Sequence, residues 1–226
     1  MRNKVKSNKS IQALNDLGEI LVKCNLRCEG INNKPKSGII PRGLILEPRE
    51  GTKSCVIVGL NPFEGKKDER NYYLEKGITY ASIRGYFHDS NLKNKSYYKK
   101  TREMISLLGF DGDILWTDLV KCELVSKKGK LPVSTFRVCI NRFLRKEIEL
   151  FKNSTIIALG NDSFKFCALS FPNHFIIGLP HPNARGDFYD LKRKIDKNNR
   201  HFTHEISDIK DNNGNYKAII LKHIAK

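Results

Sequence analysis

Ser54-Cys55-Val56-Ile57-Val58-Gly59-Leu60-Asn61-Pro62 is a short apolar run that stops at a glycine and opens into a polar turn. A β-branched run of this length, without polar alternation, reads as a strand buried on both faces. Similar runs follow at Ile114–Val120, at Thr155–Leu159 before Gly160, and at Phe175–Leu179 before Pro180. Helical patterns lie between and before them. Residues 10–23 place Ile11, Leu14, Leu17 and Leu21 on one face, with Ser10 as the N-cap. Residues 96–108 and 162–169 read as helices. Residues 133–152 read as a long amphipathic helix with Phe136, Ile140, Phe143, Leu144, Ile148 and Phe151 on its apolar side. Strands alternating with helices predict an α/β fold: a three-layer α/β/α sandwich around a central, mainly parallel, four-stranded sheet.

Outward from these elements the chain is less regular. Residues 29–53 read as loop with room for one short strand. Residues 61–95 are polar and aromatic without a period, and a loop of that length points to function. A charged helical segment is predicted over 184–197, a turn at Asp211-Asn212-Asn213-Gly214, and a strand-like run at Ala218–Ile224. With no internal repeat and no visible boundary, one domain is expected over residues 1–226. Its parts are a helix and cysteine pair at 10–30, a core over about 54–200, and an extension over 201–226. Parallel sheets gather their sites beyond the carboxyl ends of the strands. The ends to inspect are Gly59-Leu60-Asn61-Pro62, Thr117-Asp118, Gly160-Asn161-Asp162 and Pro180-His181-Pro182-Asn183. The sequence has no GxxxxGK[ST], no GxGxxG and no HExxH.

The 226 residues hold 41 Lys and Arg against 24 Asp and Glu, a net charge of +17. That excess points to a polyanionic partner, above all nucleic acid. Apolar residues at 39%, with 12 Phe and 8 Tyr, exclude a disordered basic tail. No apolar run reaches the roughly 18–20 residues of a membrane span, and no apolar stretch follows the basic Met1–Lys6 as a signal peptide would. A soluble, cytoplasmic protein that does not engage membranes and acts as a monomer is expected. Six cysteines without an export signal favour metal or core roles over disulfides. Cys55 and Cys167 lie in apolar runs and read as core. Cys24 and Cys28 have three residues between them, and Cys122 and Cys139 sixteen. Two such pairs can converge on one tetrahedral thiolate site for zinc or an iron–sulfur cluster, and spacing alone does not choose.

Val58-Gly59-Leu60-Asn61-Pro62 resembles the first motif of the uracil-DNA glycosylase superfamily, in its Gly-x-Asn-Pro form. Leu179-Pro180-His181-Pro182-Asn183 resembles the second motif, usually His-Pro-Ser. Trp116-Thr117-Asp118-Leu119-Val120-Lys121-Cys122 is similar to the Thr-Asn-x-x-Lys-Cys segment of the iron–sulfur branch. That branch holds a [4Fe–4S] cluster on two N-terminal cysteines, this third one and a fourth about 16 residues later. The order Cys24, Cys28, Cys122, Cys139 matches it. Zinc remains the alternative. The resemblance spans about residues 24–186 and departs at the cysteine pair (usually two intervening residues), at Asn183 for Ser, at Asp118 for Asn, and in lacking an acidic run after the first motif.

The resemblance implies a monofunctional glycosylase that extrudes a base from DNA and leaves an abasic site, with an oxocarbenium-like transition state. Asn61 would hold the attacking water. His181 would donate to the base O2 as charge develops there. Tyr80, in Gly77-Ile78-Thr79-Tyr80, would stack on the flipped base, with Tyr72 and Tyr73 as rivals. Arg185 would fill the gap in the duplex. Asn183 would contact a phosphate, as would Lys121, with Lys127, Lys128 and Lys130 beside it.

Asp118 is the informative departure. The family Asn donates to uracil O4 and accepts from N3–H, whereas an ionised Asp has no donor. An acidic group suits the N4 amine of cytosine, and a neutral Asp118 also donates to N3. The base is therefore uracil or, from Asp118, a cytosine-type base. Excision of ordinary cytosine would destroy the host's own genome. A modified cytosine of the kind in some phage genomes, and a defence role, would follow. Two other classes remain: a catalytically inactive binding module of the same fold, and an unrelated four-cysteine zinc protein that binds RNA.

Overall fold

The computed structural model describes residues 8–126, 130–183, 204–205 and 218–221. In chain order the helices are α1 (Asn8–Val22), α2 (Lys67–Lys76), α3 (Tyr80–Tyr86), α4 (Leu92–Asn94), α5 (Ser96–Leu107), α6 (Val133–Cys139), α7 (Arg145–Leu150) and α8 (Asn161–Ser170). The strands are β1 (Ile31–Asn32), β2 (Ile45–Glu47), β3 (Cys55–Gly59), β4 (Ile114–Asp118), β5 (Glu123–Leu124), β6 (Thr155–Leu159), β7 (Ile176–Leu179), β8 (His204–Glu205) and β9 (Ala218–Leu221). The predicted helix over 184–197 and the turn at 211–214 lie outside the described residues.

The larger sheet has the order β2-β4-β3-β6-β7-β9-β8, so it has seven strands where four were predicted. β3 pairs with β6, β6 with β7, and β7 with β9, all in parallel. Only β8 on β9 is antiparallel within this run of five. The extra strands have a physical reason. β7 would otherwise end the parallel run with a row of unpaired backbone groups, and the apolar Ala218–Leu221 of the extension pairs with them. β2 and β8 are too short to show a period. β3 is buried at every position, as an apolar run flanked by strands on both sides must be.

The chain divides into two compact units, each assembled from three stretches. One unit holds Leu46–Leu60, Lys95–Leu115 and Lys152–Lys226, and so contains β3, β6, β7, β8 and β9. In it α8 packs against β6 and β7, burying Phe164, Cys167 and Ala168. Cys55 is buried as well, so both cysteines read as core are core.

The other unit holds Met1–Ile45, Asn61–Asn94 and Trp116–Phe151. Here α1 buries Leu14, Leu17, Leu21 and Val22, while Ile11 is exposed. Residues 133–152 form α6 and α7 joined by a π-helical turn at Ile140–Leu144, immediately after Cys139. Its apolar face, Phe136, Ile140, Phe143, Leu144, Ile148 and Phe151, is buried as the spacing predicts. Residues 61–95, which show no apolar period, contain α2, α3, a π-helical turn at Phe87–Asn91 and α4. The buried face of α2 is Glu69 and Tyr73, one turn apart, so it is packed by polar contacts that apolar periodicity does not register.

Candidate active site

In the unit that holds Asn61–Asn94, Asn61 follows the end of β3. Its amide Nδ2 donates to Pro62 O at 2.8 Å, and Oδ1 is the acceptor of the same amide. Beyond it, Phe63 exposes its ring in an open groove of about 660 Å³ that Lys66, Lys67, Arg70 and Asn71 also line. The turn needs a glycine at 65. A Cβ there would lie 2.6 Å from Arg42 Nη1 and 3.0 Å from Glu123 Oε1.

Asp118 ends β4 in the same unit. Burial is the largest influence on its carboxyl and raises its pKa to about 7. Lys121 and Arg42 oppose that shift, and Glu147 adds to it. Lys121 is fully buried. Its Nζ donates to Thr117 Oγ1 at 2.5 Å and to Asp118 O at 2.6 Å, and pairs with Glu147 at 2.8 Å. The expected phosphate contact by Lys121 is therefore corrected. A buried ammonium must be paired, and this one spends its donors inside the protein. Lys127 and Lys128 lie outside the described residues, and Lys130 is exposed.

Tyr80 also lies elsewhere than expected. It is the first residue of α3 and 2% exposed. Its hydroxyl donates to Leu44 O, and the face of its ring meets Gly18 of α1, where a Cβ would come within 2.4 Å. Leu44 has φ of +64°, a strained conformation for a leucine, and the bond to its carbonyl helps to hold it. The ring supports the core and is not open to a base. Of its rivals, Tyr73 is buried with its hydroxyl on Glu69 Oε1 at 2.9 Å, and Tyr72 packs on Tyr73 and Tyr86.

The four candidate ligand cysteines all fall in this unit. β1 pairs antiparallel with β5, Ile31 opposite Leu124 and Asn32 opposite Glu123. That ladder sets the chain after Cys28 beside the chain after Cys122. Thr135 Oγ1 of α6, the helix that ends at Cys139, donates to Glu29 O at 2.9 Å. Burial pushes the Cys122 thiol up, and the neighbouring Cys139, Cys24 and Cys28 push it further. Cys28 is raised by burial and then by Cys24. The four sulfurs thus lie within electrostatic reach of one another. Among the described residues, no set of three or more His, Cys, Asp or Glu is drawn into a geometry that holds a metal ion.

In the unit that holds Lys152–Lys226, His181 follows β7. Its Nδ1 accepts from Asn183 N at 3.2 Å, and burial lowers its pKa. The ring of Tyr97, from α5, lies 5.5 Å from the imidazole, tilted by 43°. Tyr97 carries no motif, so nothing in the sequence marks it. Asn183 is exposed. Arg185 lies outside the described residues.

A mostly parallel sheet flanked by helices defines an α/β protein. The model of the uracil DNA glycosylase superfamily matches residues 49–210, and the chain belongs to that superfamily. Its members are DNA glycosylases and act on DNA. No curated protein matches the chain. Among the described residues no helix is long and apolar enough to cross a membrane.

Proposed function

We propose that this chain is a monofunctional DNA glycosylase that flips a base from DNA and hydrolyses its N-glycosidic bond. Beside membership of the superfamily, one observation carries this reading: the hydrogen bond from Asn183 N–H to His181 Nδ1. A nitrogen that accepts is unprotonated, so the neutral ring keeps its proton on Nε2, which is then a donor. Burial holds the ring neutral. A preorganised neutral donor stabilises negative charge growing on the base O2 without being deprotonated itself.

In this mechanism the C1′–N1 bond breaks and the base leaves with the electron pair. The water adds to the oxocarbenium carbon and loses its proton to solvent. Asn61 Oδ1 accepts from that water while Nδ2 stays on Pro62 O. An amide is a weak base, so most of the acceleration comes from the leaving group.

We assign Asp118 to reading the base. A neutral carboxyl has one donor and one acceptor, so it pairs with N3 and N4–H of a cytosine-type base, and with O4 and N3–H of uracil. An ionised one repels uracil O4. The substrate is a cytosine-type base, modified cytosines of phage DNA included, or uracil. Cys24, Cys28, Cys122 and Cys139 would hold a [4Fe–4S] cluster, with zinc as the alternative. Four soft donors and their mutual electrostatic pressure support it. Such a group would fix the segments that carry it and supply no step of the excision.

Purified protein assayed on duplexes carrying uracil, cytosine and modified cytosines tests these roles. Abasic sites should form with at least one base, and Asn61→Ala and His181→Ala should each slow their formation about a hundredfold or more. Binding without any abasic site would leave only a binding module. Iron, sulfide and zinc contents of the same protein decide the thiol centre.

A further inference from the structure

Resting on the glycosylase reading for what is positioned, we propose that Arg42 and Glu123 are positioning residues. Together they lock the Asn61–Gly65 turn to the Asp118–Glu123 segment. Both side chains are buried. Arg42 Nη2 donates to Phe63 O and pairs with Glu123 Oε1 at 2.8 Å. Glu123 Oε1 also accepts from Gly65 N at 2.8 Å. The turn that carries Asn61 is thus gripped at one carbonyl by the guanidinium and at one amide by the carboxylate. From the same Arg42, the backbone N–H donates to Lys121 O at 2.7 Å, and Lys121 Nζ reaches back to Asp118 O at 2.6 Å. One residue therefore touches both the segment of the candidate water holder and the segment of the candidate base reader.

The outer partners fix the clamp itself. Arg42 Nη1 lies 2.7 Å from Glu69 Oε1, and Arg70 Nη2 lies 3.1 Å from Glu123 Oε2. Glu69 also takes the Tyr73 hydroxyl. Buried ion pairs of this kind are weak devices for stability, and apolar replacements often serve as well. An apolar core, though, bonds neither Phe63 O nor Gly65 N. The planar fork of an arginine does so in fixed geometry. A shift of about 1 Å in a reacting group costs roughly a hundredfold in rate, which gives such a clamp its use.

Glu123→Gln, Arg42→Lys and Gly65→Ala test it. Each is measured for single-turnover excision of the best base, for duplex affinity and for melting temperature, alone and combined with Asn61→Ala. Gly65→Ala keeps every charge and presses on Arg42 Nη1 and Glu123 Oε1. It serves if the charge variants fail to fold. The expected result is a fall of about tenfold or more in single-turnover rate, with affinity held within about threefold. That fall should shrink in the Asn61→Ala background, because part of the clamp's effect passes through Asn61 and the rest through the Asp118 segment. Folded variants that excise at the wild-type rate, or whose losses simply multiply with that of Asn61→Ala, overturn the proposal. A wild-type chain that excises no base overturns the glycosylase reading instead. The clamp is then read from amide exchange in Glu123→Ala, which removes the acceptor, and protection of the Gly65 amide that survives this change overturns it independently.

Discussion

Asp118 holds the tension of this site at the scale of one residue. The buried carboxylates of Glu69, Glu123 and Glu147 are matched by the cations of Arg42, Arg70 and Lys121. A fourth ionised carboxyl in that neighbourhood is in surplus, and burial raises the Asp118 pKa to about 7. Below pH 7 Asp118 is mostly neutral and, in the proposed role, would offer a base one donor and one acceptor; above it the donor is lost. Excision of uracil should therefore fall as pH rises from about 6 to 8, and Asp118→Asn should flatten that limb and shift preference toward uracil. A wild-type profile that is flat across this range, or one that Asp118→Asn leaves unchanged, would sink the assignment. The same group touches stability. An acid whose folded pKa lies above its unfolded value of about 3.9 favours folding at low pH, and that contribution is lost as pH rises through about 7. Asp118→Asn should accordingly make thermal stability less dependent on pH between about 4 and 8.

Between elements, α1 meets α3 at Gly18 and Tyr80, a contact so close that a Cβ on Gly18 would lie 2.4 Å from the ring. Gly18→Ala should destabilise the protein by roughly 1–3 kcal/mol, as overpacking does. Tyr80→Phe should cost about 1 kcal/mol through the bond to Leu44 O and leave duplex affinity untouched. Tyr80→Leu removes the aromatic face, and a large loss of affinity in that variant, beyond its loss of stability, would restore the ring to the site. This pair shows where sequence reading stops. The apolar stripe of 133–152 and the run at β3 were legible, because apolar burial has a period. The strand ends that carry Asn61, Asp118 and His181 were legible because the apolar runs before them stop there. Tyr80 was misplaced because a Gly-x-x-aromatic pattern does not say which neighbour covers the ring. Arg42 and Glu123 were invisible for another reason: their partners are backbone atoms of distant segments. α2 was missed because its buried face is a carboxylate and a phenol.

For the whole molecule, the +17 charge sets how the chain meets DNA, and the structure withdraws one residue from that surface. Lys121 is fully buried against Glu147, so its cation neutralises a carboxylate and not a phosphate. Lys66 and Lys67, exposed in the groove beside Phe63, are better placed to meet a polyanion. Phosphate neutralisation releases counterions, and a protein making about six such contacts loses roughly a thousandfold in affinity between 50 and 200 mM salt. Duplex affinity should fall on that scale, while the ranking of bases should hold, because ranking resides in hydrogen bonds to the base. Lys66→Ala and Lys67→Ala should each lower the slope of log affinity against log salt by about 1. Lys121→Met should leave the slope unchanged and lower stability by about 3–5 kcal/mol, since Glu147 would remain buried without its cation. Equal slopes for wild type, Lys66→Ala and Lys67→Ala would place the DNA on another face. A reduced slope in Lys121→Met at unchanged stability would return that lysine to the interface. Only the comparison of slope with stability separates the two, because charge alone counts all three lysines alike.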